Sequence, residues 1–180
     1  KMKKTEEIRL EFPSLLTLDE KENQVVYLDG PGGTQVPTCV IESISDYYKE
    51  CNANTHGAFR SSKKTDEIMD SMRKKVSVFL GAESKDCISI GQNMTTLSYS
   101  LARAFSKIFK QGDEVIITEL DHEANRGPWK TLENIGVKLI EVKLLNDGTL
   151  DYNDFKNKIN DKTVLVAMGM SSNAIGTLND

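Results

Sequence analysis

The stretch G-D-E-V-I-I-T-E-L-D-H, residues 112–122, predicts a β-strand that ends in a polar loop. Its centre, Val115–Ile117, is a short run of β-branched residues, and such runs between turn-forming residues are typical of strands. Gly112 is placed to end a preceding helix. The strand is therefore expected over Glu114–Thr118, with Asp121 and His122 in the loop beyond its carboxyl end.

The rest of the chain alternates between strand and helix patterns. Further strands are expected at Cys87–Ile90, Val137–Leu144 and Thr163–Ala167. An apolar run at Val25–Leu28 leads into a glycine-rich turn at Asp29–Gly33. Helices are expected from Pro37, from Ser62 or Thr65 to Leu80, from the Gly91–Thr96 turn towards Gly112, from Ala124 or Pro128 to Asn134, and from Asp151. This alternation predicts an α/β fold with a mainly parallel sheet flanked by helices.

Composition excludes several classes of function. The 180 residues suit one domain, with a small second domain possible, and contain no apolar run of membrane-spanning length. The net charge of −4, from 23 basic and 27 acidic residues, disfavours a nucleic-acid binder. Cys39, Cys51 and Cys87 form no CxxC pair, and with two histidines they make no zinc set. The polar start Lys1–Leu10 is unlike a secretion signal, so a reducing cytoplasm is expected.

In parallel α/β sheets, ligands bind beyond the carboxyl ends of the strands. One such end is the turn Gly91–Thr96, which opens a helix. The helix N-terminus presents unpaired N–H groups, and Thr95 and Thr96 add hydroxyls, so the turn suits a phosphate monoester. It matches neither the dinucleotide-binding nor the Walker A glycine pattern. A threonine N-cap without a ligand remains the alternative.

Two more loops follow strand ends. His122 lies between Asp121 and Glu123, and an imidazole there suits stacking on a flat cofactor or proton transfer. A surface histidine is the alternative. The two flanking carboxylates should point apart in an extended loop, and without a third ligand no metal is expected. The third loop, Ser171–Thr177, holds Asn173, whose amide suits a carboxylate or a ring oxygen but also an ordinary turn.

Five segments occur in the order of a known family. They are Tyr27–Gln35, Asn52–Asn54, Asn93–Thr96, Asp121–Asn125 with Pro128 and Trp129, and Ser172–Gly176. Each motif is short, but together they span nearly the whole chain. On these motifs the chain resembles the cysteine desulfurase-like branch of the class V aminotransferases. The resemblance implies a three-layer fold type I domain that binds pyridoxal 5'-phosphate, here represented by its N-terminal part.

The resemblance also implies a role for each loop. The implied cofactor-binding residues are Asn93, Met94, Thr95, Thr96, His122 and Asn173. Met94, Thr95 and Thr96 would hold the phosphate, and His122 would stack on the pyridine ring and transfer protons as the catalytic residue. Asn173 would hydrogen-bond the ring oxygen or the substrate carboxylate.

The resemblance also implies an amino-acid substrate and a homodimer, while the composition predicts no nucleic-acid or membrane partner. Gly32 and Gly33 would let the substrate approach the backbone, while His56 and Arg60 would lie in a loop near the site. The chain departs from the family pattern at two places. It has Glu123 where relatives often have a second histidine, and Gly30–Gly33 where they usually have Asn-Ala-Ala. These departures favour a less characterised subgroup of the family. Sulfur release from cysteine and amino transfer both stay open as reactions.

In this family the Schiff-base lysine, the aspartate at the pyridine nitrogen and the desulfurase cysteine follow the last motif. The 180-residue sequence ends at Asp180, soon after Gly176. Residues 1–24 are therefore expected to be an N-terminal segment and residues 25–180 the N-terminal part of a cofactor-binding domain, truncated before its lysine and inactive alone. The alternatives are a non-catalytic half-domain that assembles with a relative, and another phosphate-binding α/β protein such as a nucleotide binder.

Overall fold

The structure is a computed structural model that describes residues 4–180, so the first three residues of the predicted N-terminal segment lie outside the described range. The chain forms two compact units, of which the first ends at Ser89 and the second begins at Ile90. Over residues 4–180, no helix combines the length and the apolar character needed to cross a bilayer.

The first unit is helical. Its helices are α1 (Thr5–Arg9), α2 (Thr38–Glu50) and α3 (Arg60–Leu80), with 3₁₀ turns at Pro13–Leu16, Gly30–Gly32 and Lys85–Cys87. Pro37 directly precedes α2, and Gly81 ends α3 in the left-handed conformation at φ 66°. The predicted helices after Pro37 and up to Leu80 are confirmed, although α3 begins slightly earlier than expected.

Ion pairs join the middle of α3 to the turn that follows the helix. Lys74 donates to Asp70 at 2.8 Å, and Lys85 from the following turn pairs with the same carboxylate. The hydrogen bonds from Lys74 and Lys85 lower the pKa of Asp70 to about 2. Since all three side chains are partly exposed, salt should weaken this contact.

The predicted strand Cys87–Ile90 is wrong. The Ser84 hydroxyl accepts the N–H of Asp86 at 3.1 Å and turns the chain into the 3₁₀ turn that ends at Cys87. Ile88 is extended, but no strand within residues 4–180 pairs with this segment. Cys87, the first residue of this segment, is exposed, whereas Cys51 is buried.

The second unit contains the sheet. Its elements are α4 (Met94–Phe105), β1 (Glu114–Thr118), α5 (Gly127–Lys130), β2 (Lys138–Val142), α6 (Tyr152–Lys158) and β3 (Thr163–Val166), with 3₁₀ turns at Glu123–Asn125 and Thr131–Ile135. The strands are parallel in the order β2-β1-β3. At the centre, Ile116 is in register with Ile140 of β2 and with Val166 of β3.

Two predicted helices differ from those observed. The helix α4 ends at Phe105, well before Gly112. At this helix end, the Ser106 hydroxyl donates to the carbonyl of Arg103 at 2.8 Å. The helix expected up to Asn134 divides into the short α5 and a 3₁₀ turn. Gly136 then reverses the chain at φ 82°, as the sequence predicts.

The strands bury apolar side chains on both faces of the sheet. Val115 and Ile117 pack in a cluster with Ala102 of α4 and Trp129 of α5. On the other face, Ile116 packs in a cluster with Val142 and Leu150, flanked by Tyr152 and Phe155 of α6. The predicted α/β fold with helices on both faces of a parallel sheet is therefore confirmed, and the sheet of residues 4–180 has three strands where four were expected.

Candidate functional site

The helix α4 begins at a polar cap beside the sheet. Asn93 is extended, at φ −164° and ψ 168°, and its Oδ1 accepts the Thr96 N–H at 2.9 Å and the Thr96 hydroxyl at 3.0 Å. The cap is thus an asparagine, and the alternative of a threonine cap is wrong. Thr96 uses both of its donors within the cap, which leaves it little capacity to bind a ligand.

The next donors along the helix are open. Within residues 4–180, nothing accepts a hydrogen bond from the N–H groups of Met94 and Thr95 or from the Thr95 hydroxyl. Met94 and Thr95 are exposed at the positive end of a 12-residue helix. Open N–H groups at such an end are suited to bind the oxygens of a phosphate.

Removing the cap should weaken α4. We expect Asn93→Ala to lower the free energy of unfolding by about 1 kcal/mol, because two donors of Thr96 lose their acceptor. Urea unfolding followed by circular dichroism measures this loss. Asn93→Ser, which keeps a capping oxygen, should retain most of the stability; equal losses for both variants would show that the side-chain cap does not stabilise the helix.

His122 caps the 3₁₀ turn that follows β1. Its Nδ1 accepts the N–H of Ala124 at 3.1 Å, so the neutral ring carries its proton on Nε2. The imidazole is exposed. The turn Glu123–Asn125 contacts both α4 and α5, so this loop lies against the helix whose N-terminus offers the open donors.

Asp121 connects two of the three predicted loops. Its Oδ2 accepts the hydroxyl of Thr118 at 2.5 Å. Its Oδ1 accepts the side-chain amide of Asn125 at 2.9 Å and the N–H of Gly169 at 2.8 Å. The loop after β3 is thereby bonded directly to the loop that contains His122.

Asn173 lies in a tight turn after β3. Ser172 is buried, and its hydroxyl accepts the N–H groups of Ala174 and Ile175, each at 3.2 Å. The Asn173 side chain is exposed and has no hydrogen-bond partner in the described part of the chain. Its amide is therefore free to bind a ligand.

The acidic residues beside His122 have separate partners. Asp121 binds the donors described above, whereas Glu123 pairs with Lys130 at 3.3 Å. Among residues 4–180, no group of three or more His, Cys, Asp or Glu side chains is arranged to hold a metal ion.

The predicted substrate residues all belong to the first unit. Gly32 ends a 3₁₀ turn and Gly33 follows it, with no atom within 4 Å of an added Cβ at either position. His56 has a left-handed backbone at φ 65°, and its N–H donates to both carboxylate oxygens of Asp66 at 3.1 Å. Arg60 is the first residue of α3 and His56 lies in the loop just before that helix, while the two glycines lie in a different turn.

Two contacts near the site have no signal in the sequence pattern. The bond from Gly169 to Asp121 joins residues 48 positions apart, which no local pattern predicts. A Cβ at Gly127 would lie 3.1 Å from the Tyr99 hydroxyl and 3.0 Å from a Glu123 oxygen, so this glycine permits a close approach of α4 and the His122 loop. By contrast, the hydrogen bond between Asp121 and Asn125 is local, and a turn pattern in the sequence could have indicated it.

Comparisons with known proteins show which family this chain resembles. A family model described as "Aminotransferase class-V" matches residues 26–180. A cysteine desulfurase of Serratia proteamaculans is 35% identical over 97% of this chain, and a probable cysteine desulfurase of Vibrio cholerae is 31% identical over 94% of it. The solved apo structure of a cysteine desulfurase from Thermococcus onnurineus NA1 covers 99% of this chain with a TM-score of 0.85 and 30% identity.

The match covers only part of those proteins. The chain spans 43% of the length of both bacterial relatives and 43% of the archaeal structure. The shared part includes the parallel sheet and the three loops described above, and the family model extends over most of the sequence. The chain belongs to the class V aminotransferase family.

Proposed function

We propose that this chain supplies the phosphate- and ring-binding part of a pyridoxal-phosphate-dependent enzyme that acts on amino acids. The cysteine desulfurases among its relatives favour sulfur release from cysteine as the reaction of the whole protein, ahead of amino transfer. The family model begins at residue 26, which supports assigning residues 25–180 to the cofactor-binding domain and residues 1–24 to a preceding segment.

The observation on which this proposal rests most is the open N-terminus of α4. A phosphate monoester needs several donors in one place, and the N–H groups of Met94 and Thr95 with the Thr95 hydroxyl supply three. Asn93 contributes indirectly, because its cap holds the first turn in helical form. Thr96 would act through its position in that turn, since its own donors are used by Asn93.

The remaining loops suit the flat part of the cofactor. Bound pyridoxal phosphate supplies an electron sink for chemistry at the α carbon of an amino acid. His122 is exposed, and its Nε2 carries a proton while Nδ1 is occupied by Ala124, so the ring can stack and exchange a proton at Nε2. Asn173 would donate its free amide to a ring oxygen or to the carboxylate of the substrate.

Substrate contacts are proposed for residues of the first unit. Gly32 and Gly33 have open space around them, which suits close approach of an amino acid to the backbone. His56 and Arg60 would contribute polar contacts from the loop before α3 and from its first turn. We further propose a homodimer in the cytoplasm and a lyase-type reaction; the three free cysteines are consistent with a reducing compartment.

Cofactor binding can be tested on the chain itself. Pyridoxamine 5'-phosphate is the best probe, because its amine cannot condense with surface lysines as an aldehyde does. Trp129, the single tryptophan, is buried and its indole N–H contacts Asn125 in the His122 loop at 3.4 Å, so it should report binding by fluorescence. We expect saturable quenching by pyridoxamine phosphate and much weaker quenching by pyridoxamine; equal affinity for both would contradict a phosphate site.

The role of His122 has its own prediction. Replacing His122 with Ala should weaken pyridoxamine phosphate binding about tenfold, because an aromatic stacking partner of this kind contributes about 1 kcal/mol or slightly more. His122→Phe, which keeps a flat ring, should bind nearly as well as the unmodified chain. The Trp129 titration measures both variants. Tight binding by His122→Ala would exclude stacking, and weak binding by His122→Phe would favour a polar role instead.

A further inference from the structure

The carboxylate of Asp121 accepts hydrogen bonds from three separate parts of the second unit. The donors are Thr118 at the end of β1, Asn125 in the His122 loop, and the backbone of Gly169 beyond β3. All three donors are neutral. A charged acceptor forms stronger hydrogen bonds than a neutral one, so this carboxylate is well suited to hold loops that no strand pairing joins.

The contact with Gly169 is close and well defined. A Cβ at position 169 would lie 3.0 Å from the Asp121 Oδ1, which is tighter than ordinary packing. On the other side of the same residue, the Asn179 side-chain amide donates to the Gly169 carbonyl at 2.5 Å. The backbone after β3 is therefore held from both sides, and glycine lets it approach the carboxylate.

We propose that Asp121 is the positioning residue of the site, which fixes the His122 loop and the Asn173 turn relative to each other. This inference rests on the proposed function, because the arrangement matters only if His122 and Asn173 act on one ligand. His122 directly follows Asp121, and the Asn173 turn follows Gly169 after a short segment. An asparagine at position 121 keeps the shape of the side chain and can still accept the hydrogen bonds of Asn125 and Gly169 through its amide oxygen. Without the charge, these hydrogen bonds are weaker.

The experiment compares Asp121→Asn with the unmodified 180-residue chain. We expect the Gly169 amide to exchange with solvent about tenfold faster, while the amides of β1 keep their protection. We also expect pyridoxamine phosphate to bind about tenfold more weakly, because a hydrogen bond to a neutral acceptor is about 1 kcal/mol weaker than one to a charged acceptor. Asp121→Glu, which restores the charge, should recover part of both effects.

A matched control lies in an exposed turn. Asp147 accepts the N–H of Thr149 at 3.0 Å and its hydroxyl at 2.7 Å, and these bonds lower the pKa of Asp147. Asp147→Asn removes the charge from a comparable pair of hydrogen bonds, yet it should change neither Gly169 exchange nor ligand binding. Gly169→Ala serves as a second variant if Asp121→Asn does not fold, because it displaces the carboxylate without removing its charge.

Gly169 exchange and ligand binding together distinguish a failure of this proposal from a failure of the proposed function. Unchanged Gly169 exchange in Asp121→Asn overturns the proposal. Faster exchange with unchanged binding overturns it as well, since Asp121 would then be only a structural contact. Failure of the unmodified chain to bind pyridoxamine phosphate would count against the proposed function and hence against a positioning role, whereas Gly169 exchange would still report whether Asp121 holds the loop.

Discussion

Replacing Ile116 with Ala should lower the free energy of unfolding by about 2–5 kcal/mol, the range for large-to-small changes in a packed core. Ile116 is fully buried at the centre of β1 and clusters with Val142 and Leu150. The substitution removes apolar contacts and leaves a cavity that the paired strands on both sides cannot easily close. Urea unfolding at constant protein concentration, followed by circular dichroism, measures the loss.

A matched substitution on the same sheet provides the control. Val164, also β-branched, lies on β3 with 42% of its surface exposed. Val164→Ala should change the free energy of unfolding by about 0.5 kcal/mol or less, as exposed substitutions usually do. Similar losses for Ile116→Ala and Val164→Ala would contradict the assignment of the Ile116 face to the core.

A strand could be predicted from the sequence where a short apolar run coincides with the strand. Glu114–Thr118 forms as predicted, because Val115–Ile117 is buried on both faces of the sheet and the strand pairs with a neighbour on each side. The segment Cys87–Ile90 has a similar composition but gains no partner strand within residues 4–180. The local sequence pattern indicates whether a segment tends to be extended, whereas the pairing of that segment with another strand depends on distant residues. This difference explains the one strand that was predicted wrongly.

The candidate site, like the strands, could be predicted from the sequence only in part. The alternation of strands and helices predicts that Asn93 lies at the start of a helix. It also predicts that His122 and Asn173 lie beyond the carboxyl ends of strands. Which residue caps α4 did not follow, because Asn93 and the threonines are all good capping residues and only the observed bonds distinguish them. The bond from Gly169 to Asp121 depends on β1 and β3 being neighbours, which the sequence does not specify.

Replacing Met94 with Pro should weaken phosphate binding while leaving α4 intact. Met94 is the first residue of the helix, the position at which proline is tolerated, since its N–H has no partner within the helix. The preceding Asn93 is extended, which is the conformation that a following proline favours. The substitution therefore removes one of the proposed phosphate donors with little expected effect on the fold.

We expect Met94→Pro to bind pyridoxamine phosphate about ten- to a hundredfold more weakly, the range for losing one hydrogen bond to a charged group. Met94→Ala is the matched control, because it removes the same side chain but keeps the N–H, and it should bind like the unmodified chain. Titration of Trp129 fluorescence measures affinity, and urea unfolding verifies that the two variants are equally stable. Equal affinity of two equally stable variants would show that the Met94 N–H does not bind the phosphate, whereas weakened binding in Met94→Pro alone would identify it as a backbone donor.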